Sequence, residues 1–319
     1  MKETPWQQVN ITYPGQSRHE REQHAIPHLH RVLPAAETAG LITSWWFIRK
    51  GPWRIRYLPT TPDTDPGPVH DLLTGTRAWT SDIYEPEIHA FGGPDAMDTA
   101  HTLFHHDSRH LLTYLHHQPA DRRERSLILC TALMRATGLD LNEQGDVWAR
   151  VARHRLEHRT WPPAADPATW EAFTGKVRHL QLGTTRTTSD WQTAFENAGT
   201  ALRHLRDTGK LTRGLRAVIA EHVIFHWNRI GIPATTQAVL AQAAAEAIFG
   251  RAPVPPCRQA SSGHARSNPY HHLRYRQQRS MRPVARRLQV QDTADSSQRG
   301  LVPNGREALA GPDTSSGPK

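Results

Sequence analysis

Three stretches of the chain hold the residue types and spacings from which chemistry can be built. The first, Trp45-Trp-Phe-Ile-Arg-Lys-Gly-Pro-Trp-Arg-Ile-Arg-Tyr57, sets Arg54 and Arg56 two residues apart. In a strand alternate side chains share a face, so the two guanidinium groups point together while Trp53 and Ile55 point the other way. That spacing fits either a solvated strand face or an anion clamp, whose bidentate donors stay charged at any working pH. The second stretch, Tyr84-Glu-Pro-Glu-Ile-His-Ala-Phe-Gly-Gly-Pro-Asp-Ala-Met-Asp98, combines Glu85, Glu87 and His89 with a Gly92-Gly93 turn that lets the backbone approach a substrate closely. The third, Glu221-His-Val-Ile-Phe-His-Trp-Asn-Arg-Ile-Gly-Ile-Pro233, places His222 and His226 four residues apart and follows them with Asn228 and Arg229. Buried polar groups need partners, so this cluster reads either as an arginine–carboxylate network or as part of a site.

Other chemistries have less support. His101 and His105 stand at the spacing of two zinc ligands on a helix, but the carboxylate of an HExxH motif is missing. With 21 histidines in the chain such pairs arise by chance, and no metal site is expected. Asp107-Ser108 is expected to stop or cap a helix. No GxSxG, Walker A or GxGxxG pattern points to a hydrolase, a P-loop enzyme or a dinucleotide-binding protein, and no cofactor is expected. Cys130 and Cys257 lie in unrelated surroundings, so Cys130 is expected to be a free buried thiol and Cys257 incidental.

The elements that must position these groups read as α+β: a small N-terminal β-sheet followed by a mainly α-helical remainder. Trp6–Tyr13 alternates as a half-buried strand, and Arg18–Gly40 has helical spacing loosened by Pro27 and Pro34. Ser44–Lys50 and Trp53–Tyr57 form a strand pair around Gly51-Pro52. Residues 59–75, rich in Pro, Asp, Thr and Gly, read as a loop. After Gly93 two helical segments are expected, one through Met97, Ala100, Leu103 and Phe104 and one through Leu111, Leu112 and Leu115. Further helices are expected at Ser126–Thr137, Glu143–His158, Asp166–Leu180, Asp190–Thr208, Leu215–Ile230 and Thr236–Phe249.

The formal charge of +9 invites a nucleic-acid reading, but its distribution argues otherwise. From Arg251 onward there are 12 Lys+Arg against 4 Asp+Glu, while the first 250 residues are nearly balanced. Residues 1–250 are therefore expected to form one domain and residues 251–319 a disordered basic tail, to which any nucleic-acid contact would be confined. No apolar run suggests a membrane span or a secretion signal, so a cytoplasmic location is expected.

Taken together, the Trp-led first strand, the WWFIRKGPWRIRY block, the YEPEIHAFGGPDAMDTAHTLFHHDS block and the HVIFHWNRIGI block resemble the thiopeptide-type bacteriocin biosynthesis family. That family is similar to the C-terminal, glutamate-elimination domain of lantibiotic dehydratases, and the resemblance covers about residues 5 to 249. It implies a ribosomally made precursor peptide as substrate. It also implies a separate, tRNA-dependent glutamylation protein as partner, because the chain is too short to hold that second domain. One implied activity is elimination of glutamate from glutamylated Ser or Thr. The alternatives are a formal aza-[4+2] cycloaddition that joins two dehydroalanines into a pyridine, and a non-catalytic peptide-binding subunit. On the elimination reading the resemblance assigns Arg54, Arg56, Glu87 and His226 to catalysis, with His222 as the other candidate for the proton-shuttling histidine. Arg49, His89, Asn228 and Arg229 are assigned to substrate binding. Elimination domains commonly carry an arginine just before the aromatic-Gly-Gly, where this chain has Ala90; His89 or Arg49 is the expected replacement.

Overall fold

The β-branched and aromatic runs near the N-terminus pair into a four-stranded antiparallel sheet in the computed structural model, which describes residues 5–49, 51–61, 65–155, 157, 166–183 and 189–250. Strands β1 (Gln7–Ile11), β2 (Ile42–Arg49), β3 (Trp53–Pro59) and β4 (Trp79–Asp82) stand in the order β2-β3-β1-β4. The register aligns Ile48, Arg54, Asn10 and Thr80 in one row and Trp46, Arg56, Gln8 and Asp82 in the next. Alternation puts both rows on one face. The other face carries Val9, Ile11, Trp45, Phe47, Trp53, Ile55 and Tyr57, all at most 4% exposed, and belongs to the main core.

Helix α1 (Arg18–Thr38) contributes Ala25, Ile26, Leu29, Leu33 and Ala36 to that core. Its first turn is closed by Ser17, whose hydroxyl accepts from Glu20 N at 3.0 Å, and it runs unbroken through Pro27 and Pro34. Two elements differ from the sequence expectation in this region. Residues 67–74, expected to be loop, form helix α2 (Gly67–Thr74), started by Pro66 and Pro68 and held by buried Val69 and Leu73. The other is the short strand β4, whose four residues, Trp79-Thr80-Ser81-Asp82, show too little alternation to mark a strand in the sequence.

Helix α3 (Pro94–His116) is one continuous element of 23 residues rather than two segments. Asp107 and Ser108 sit in its middle at 0% exposure, correcting the expectation that they stop or cap a helix. Their side chains have tertiary partners instead: Ser108 Oγ accepts from Phe47 N at 3.4 Å, and Asp107 anchors a buried network described below. The α3 side chains thus cover the outer edge of β2, where Trp45 N also donates to His105 Nδ1 at 3.1 Å.

The remaining helices are α4 (Arg122–Ala136), α5 (Leu141–His154), α6 (Pro167–Leu182), α7 (Asp190–Asp207), α8 (Leu215–Ile230) and α9 (Ala234–Phe249), as their apolar periodicity implies. Helix α5 begins with a reciprocal cap between Asp140 and Glu143 and ends at His154, with Arg155 as its C-cap instead of a further helical residue; Leu156 and His158 of the expected extension lie outside the described residues. Helices α4 and α7 approach so closely that a Cβ on Gly199 would lie 2.6 Å from Leu133 O. Chain contacts separate Met1–Pro255 from Pro256–Lys319, and every described residue belongs to the first unit. No described helix is long and apolar enough to cross a membrane. Cys130 is buried with a free thiol, whereas Cys257 and the basic tail lie outside the described residues.

Candidate active site on the sheet face

On the face of β3 that is not packed in the main core, Arg56 is held from three sides. Its Nε donates to Gln8 Oε1 at 2.7 Å, and its guanidinium carbon lies 4.4 Å from the Trp46 ring centre and 4.2 Å from that of Tyr84. Gln8 is oriented in turn, because its amide donates to Asp82 Oδ2 and Asn10 Oδ1, each at 3.0 Å. Only 6% of Arg56 is exposed, and its Nη1 has no partner. Burial pulls this guanidinium below its ordinary pKa, while Tyr84, Glu87 and Asp82 act in the opposite sense. Arg54, half-buried one row away, also has an Nε without a partner. Two positive groups with unused buried donors on one face are a place for an anion.

Tyr84 hydrogen-bonds His101, with its hydroxyl 2.9 Å from His101 Nε2. Burial raises the Tyr84 phenol above its ordinary range, and burial together with Arg56 lowers His101 to about 4. Both are therefore neutral near pH 7, joined by a hydrogen bond whose direction the His101 tautomer sets. Glu87 and His89 are exposed in the turn that follows, which closes through Gly92 and Gly93 at φ +90° and +111°. A Cβ on Gly92 would meet Val218 at 2.9 Å, and Thr212 N donates to Gly92 O at 2.9 Å, so the turn is fastened to the start of α8.

Of the residues picked out from sequence, the structure groups Arg54, Arg56 and Glu87 by position and charge. Arg49 is not with them. It lies on the opposite face of the sheet, paired with Glu22 and stacked 4.5 Å from the Trp53 ring centre, while Arg122 holds the other oxygen of Glu22 at 2.6 Å. The cation that reaches Ala90 is Arg213, whose Nη1 donates to Ala90 O at 2.6 Å and to Glu221 at 3.0 Å. Sequence reasoning missed it because the two positions are 123 residues apart.

His226 and Arg229, both at 0% exposure, belong to a different place: the buried Asp107. Asp107 accepts from Arg229 Nε at 2.8 Å and from Trp191 Nε1 at 2.9 Å, and lies 2.9 Å from His226 Nδ1. Burial pushes the Asp107 carboxyl up, but His226, Arg229 and Trp191 outweigh it and hold the group below its ordinary value. Asn228 is half-buried and accepts from Gln237 at 3.1 Å. His222, 2% exposed, rests edge-on against Phe91 with neither ring nitrogen paired. The third stretch thus supplies the arginine–carboxylate network of the two readings open to it. His101 and His105 bond to Tyr84 and to the Trp45 backbone respectively.

Residues 6–248 match the family model described as the lantibiotic biosynthesis dehydratase C-terminal domain. Among solved structures, the tRNA-dependent lantibiotic dehydratase MibB from Microbispora sp. 107891 is similar with a TM-score of 0.50 and 19% identity. That alignment covers 78% of this chain but 28% of MibB, so the chain spans less than a third of the larger protein. The pyridine synthase TbtD from thiomuracin biosynthesis is similar with a TM-score of 0.50 and 15% identity over 76% of this chain and 97% of TbtD. At these identities the likeness is one of fold. No curated protein matches the sequence.

Proposed function

The chain belongs to the lantibiotic biosynthesis dehydratase C-terminal family, and on that premise we propose that it removes glutamate from glutamylated Ser or Thr of a ribosomally made precursor peptide. The observation that carries this reading is the Arg54–Arg56 pair, with unpartnered buried donors at Arg54 Nε and Arg56 Nη1. In the elimination, a base takes the α-proton of the esterified residue and charge develops on the neighbouring carbonyl oxygen. The Cβ–O bond then breaks, leaving a dehydroamino acid and a glutamate carboxylate. Two guanidinium forks, that of Arg56 held by Gln8, Trp46 and Tyr84, supply what the developing and departing negative charges need. Glu87, exposed and within electrostatic reach of Arg56, is the proposed base. His226 faces Asp107 in the core and is assigned to that network rather than to proton transfer. A separate protein would supply the glutamyl ester from glutamyl-tRNA, and the reaction would take place in the cytoplasm.

The test is direct: purified protein is mixed with a glutamylated precursor and glutamate release is followed by mass spectrometry. Dehydroamino acids should accumulate, and Arg54→Ala and Arg56→Ala should each impair turnover more than His101→Ala. An intact glutamyl ester after prolonged incubation would sink the proposal. Conversion of a bis-dehydroalanine peptide to a pyridine would replace elimination by cycloaddition.

A further inference from the structure

The two edges of the sheet are treated differently. Side chains of α3 meet the outer backbone of β2, through His105 at Trp45 and Ser108 at Phe47. The outer edge of β4 has no such cover among the described residues. Thr12 N donates to Ala78 O at 2.9 Å, which fixes the phase of the ladder with β1. By antiparallel alternation, the backbone groups of Thr80 and Asp82 then point to β1, and those of Trp79 and Ser81 point away from the sheet. All four β4 residues are exposed. Apart from its length of four residues, the strand has little of the usual protection of a free edge: no proline, no lysine, and a single charge, Asp82, turned toward Gln8 on the arginine face.

A second observation falls on the same segment. Six large apolar side chains are exposed among the described residues, and three of them, Trp79, Ile83 and Ile88, lie on β4 and the stretch that follows. That stretch leads directly to the proposed site, through Tyr84 stacked on Arg56 and then Glu87. An open edge gives main-chain hydrogen bonds without regard to sequence, and apolar side chains beside it give grip. These suit an extended peptide rather than a folded protein or a nucleic acid, since the only charges here, Asp82, Glu85 and Glu87, are acidic.

We propose that β4 is the docking edge for the peptide substrate. An extended segment of the precursor pairs with Trp79 and Ser81 as a fifth strand, with an apolar side chain against Trp79. The chain beyond it passes Ile83 and Ile88 and brings the glutamylated residue to Arg54 and Arg56. This rests on the function proposed above for the identity of the reacting group, but the docking itself is tested by binding alone.

The probe is a short peptide in which 2,3-diaminopropionate, acylated by glutamate through an amide, replaces the glutamylated serine. On its addition to the full chain, hydrogen exchange should slow at the Trp79 and Ser81 amides and stay unchanged at Thr80 and Asp82, which β1 already protects. Ser81→Pro removes an outward N–H that the sheet does not use, so the fold is kept and the edge is blocked. Its Kd for the probe should rise about 10-fold, the loss of one or two backbone hydrogen bonds, while Ser81→Ala binds as the wild type does. Absence of probe binding, unchanged exchange at Ser81 in the bound protein, or undiminished affinity of Ser81→Pro would each overturn the proposal. Peptide-independent dimerisation lost in Ser81→Pro would overturn it too, by assigning the edge to a second copy. Protection at Ser81 with no glutamate lost from the ester-linked peptide would uphold the docking edge and sink the proposed reaction.

Discussion

In the proposed elimination, what suits Arg56 to its role is immobility. Trp46 and Tyr84 fix the plane of its guanidinium and Gln8 fixes its Nε, so its remaining donors point in a set direction. Lysine keeps the charge but has neither the planar fork nor the stacking. Arg56→Lys should therefore lower kcat for glutamate release by about 10-fold to 100-fold, and Arg56→Ala by more, toward the 10²–10³ lost with one oxyanion donor; steady-state assays of the two variants check this. Asp107 is a residue of the opposite kind, fully buried and saturated with donors that hold the core together. Asp107→Ala leaves Arg229 charged and unpaired inside the protein, a change that costs about 3–5 kcal/mol. Urea unfolding should show that loss, and a difference below about 1 kcal/mol would mean that the network is not structural.

At the level of elements, the site depends on which side of a strand each helix occupies. Helix α1 lies against the apolar face, α3 runs along the β2 edge, and the arginine face is bordered by the segment between β4 and α3. The helical half is held by tight crossings. Gly199 allows α7 to sit against the backbone of α4, with no room for a methyl group between Leu133 O and Ala136 Cβ. Gly199→Ala gains helix propensity of about 1 kcal/mol but forces these helices apart at about 1–3 kcal/mol, so net destabilisation is expected from a thermal melt. Stabilisation would show that the crossing relaxes freely. The alternation of β3 and the helices from α4 to α9 were legible in sequence because their signals are local and repeat. Helix α2 and strand β4 were not, because eight and four residues give too few periods to rise above a Pro- and Gly-rich background.

For the molecule as a whole, several histidines are folded into places that disfavour their charge. Burial and nearby arginines lower His222 to about 3, and His28 and His101 to about 4. The unfolded chain binds protons near 6.5 and the folded chain does not, so their contribution is complete above pH 6.5 and is lost as pH falls toward the folded values. Each group can remove about 1.4 kcal/mol per pH unit inside that window. Tm should therefore drop steadily from pH 7 to pH 5, and His222→Leu should flatten the slope; an unchanged slope would remove His222 from this account. The sequence by itself determined the α+β class, the family, the helices that repeat their apolar spacing and the common direction of Arg54 and Arg56, because each of these is written in short-range periodicity or contiguous motifs. Only the tertiary structure decided that Arg49 lies across the sheet, that Arg213 reaches Ala90, and that His226 and Arg229 belong to Asp107. Those partners are 84 to 122 residues apart for Asp107 and 123 for Ala90, and contacts at such separations are fixed by how whole elements pack.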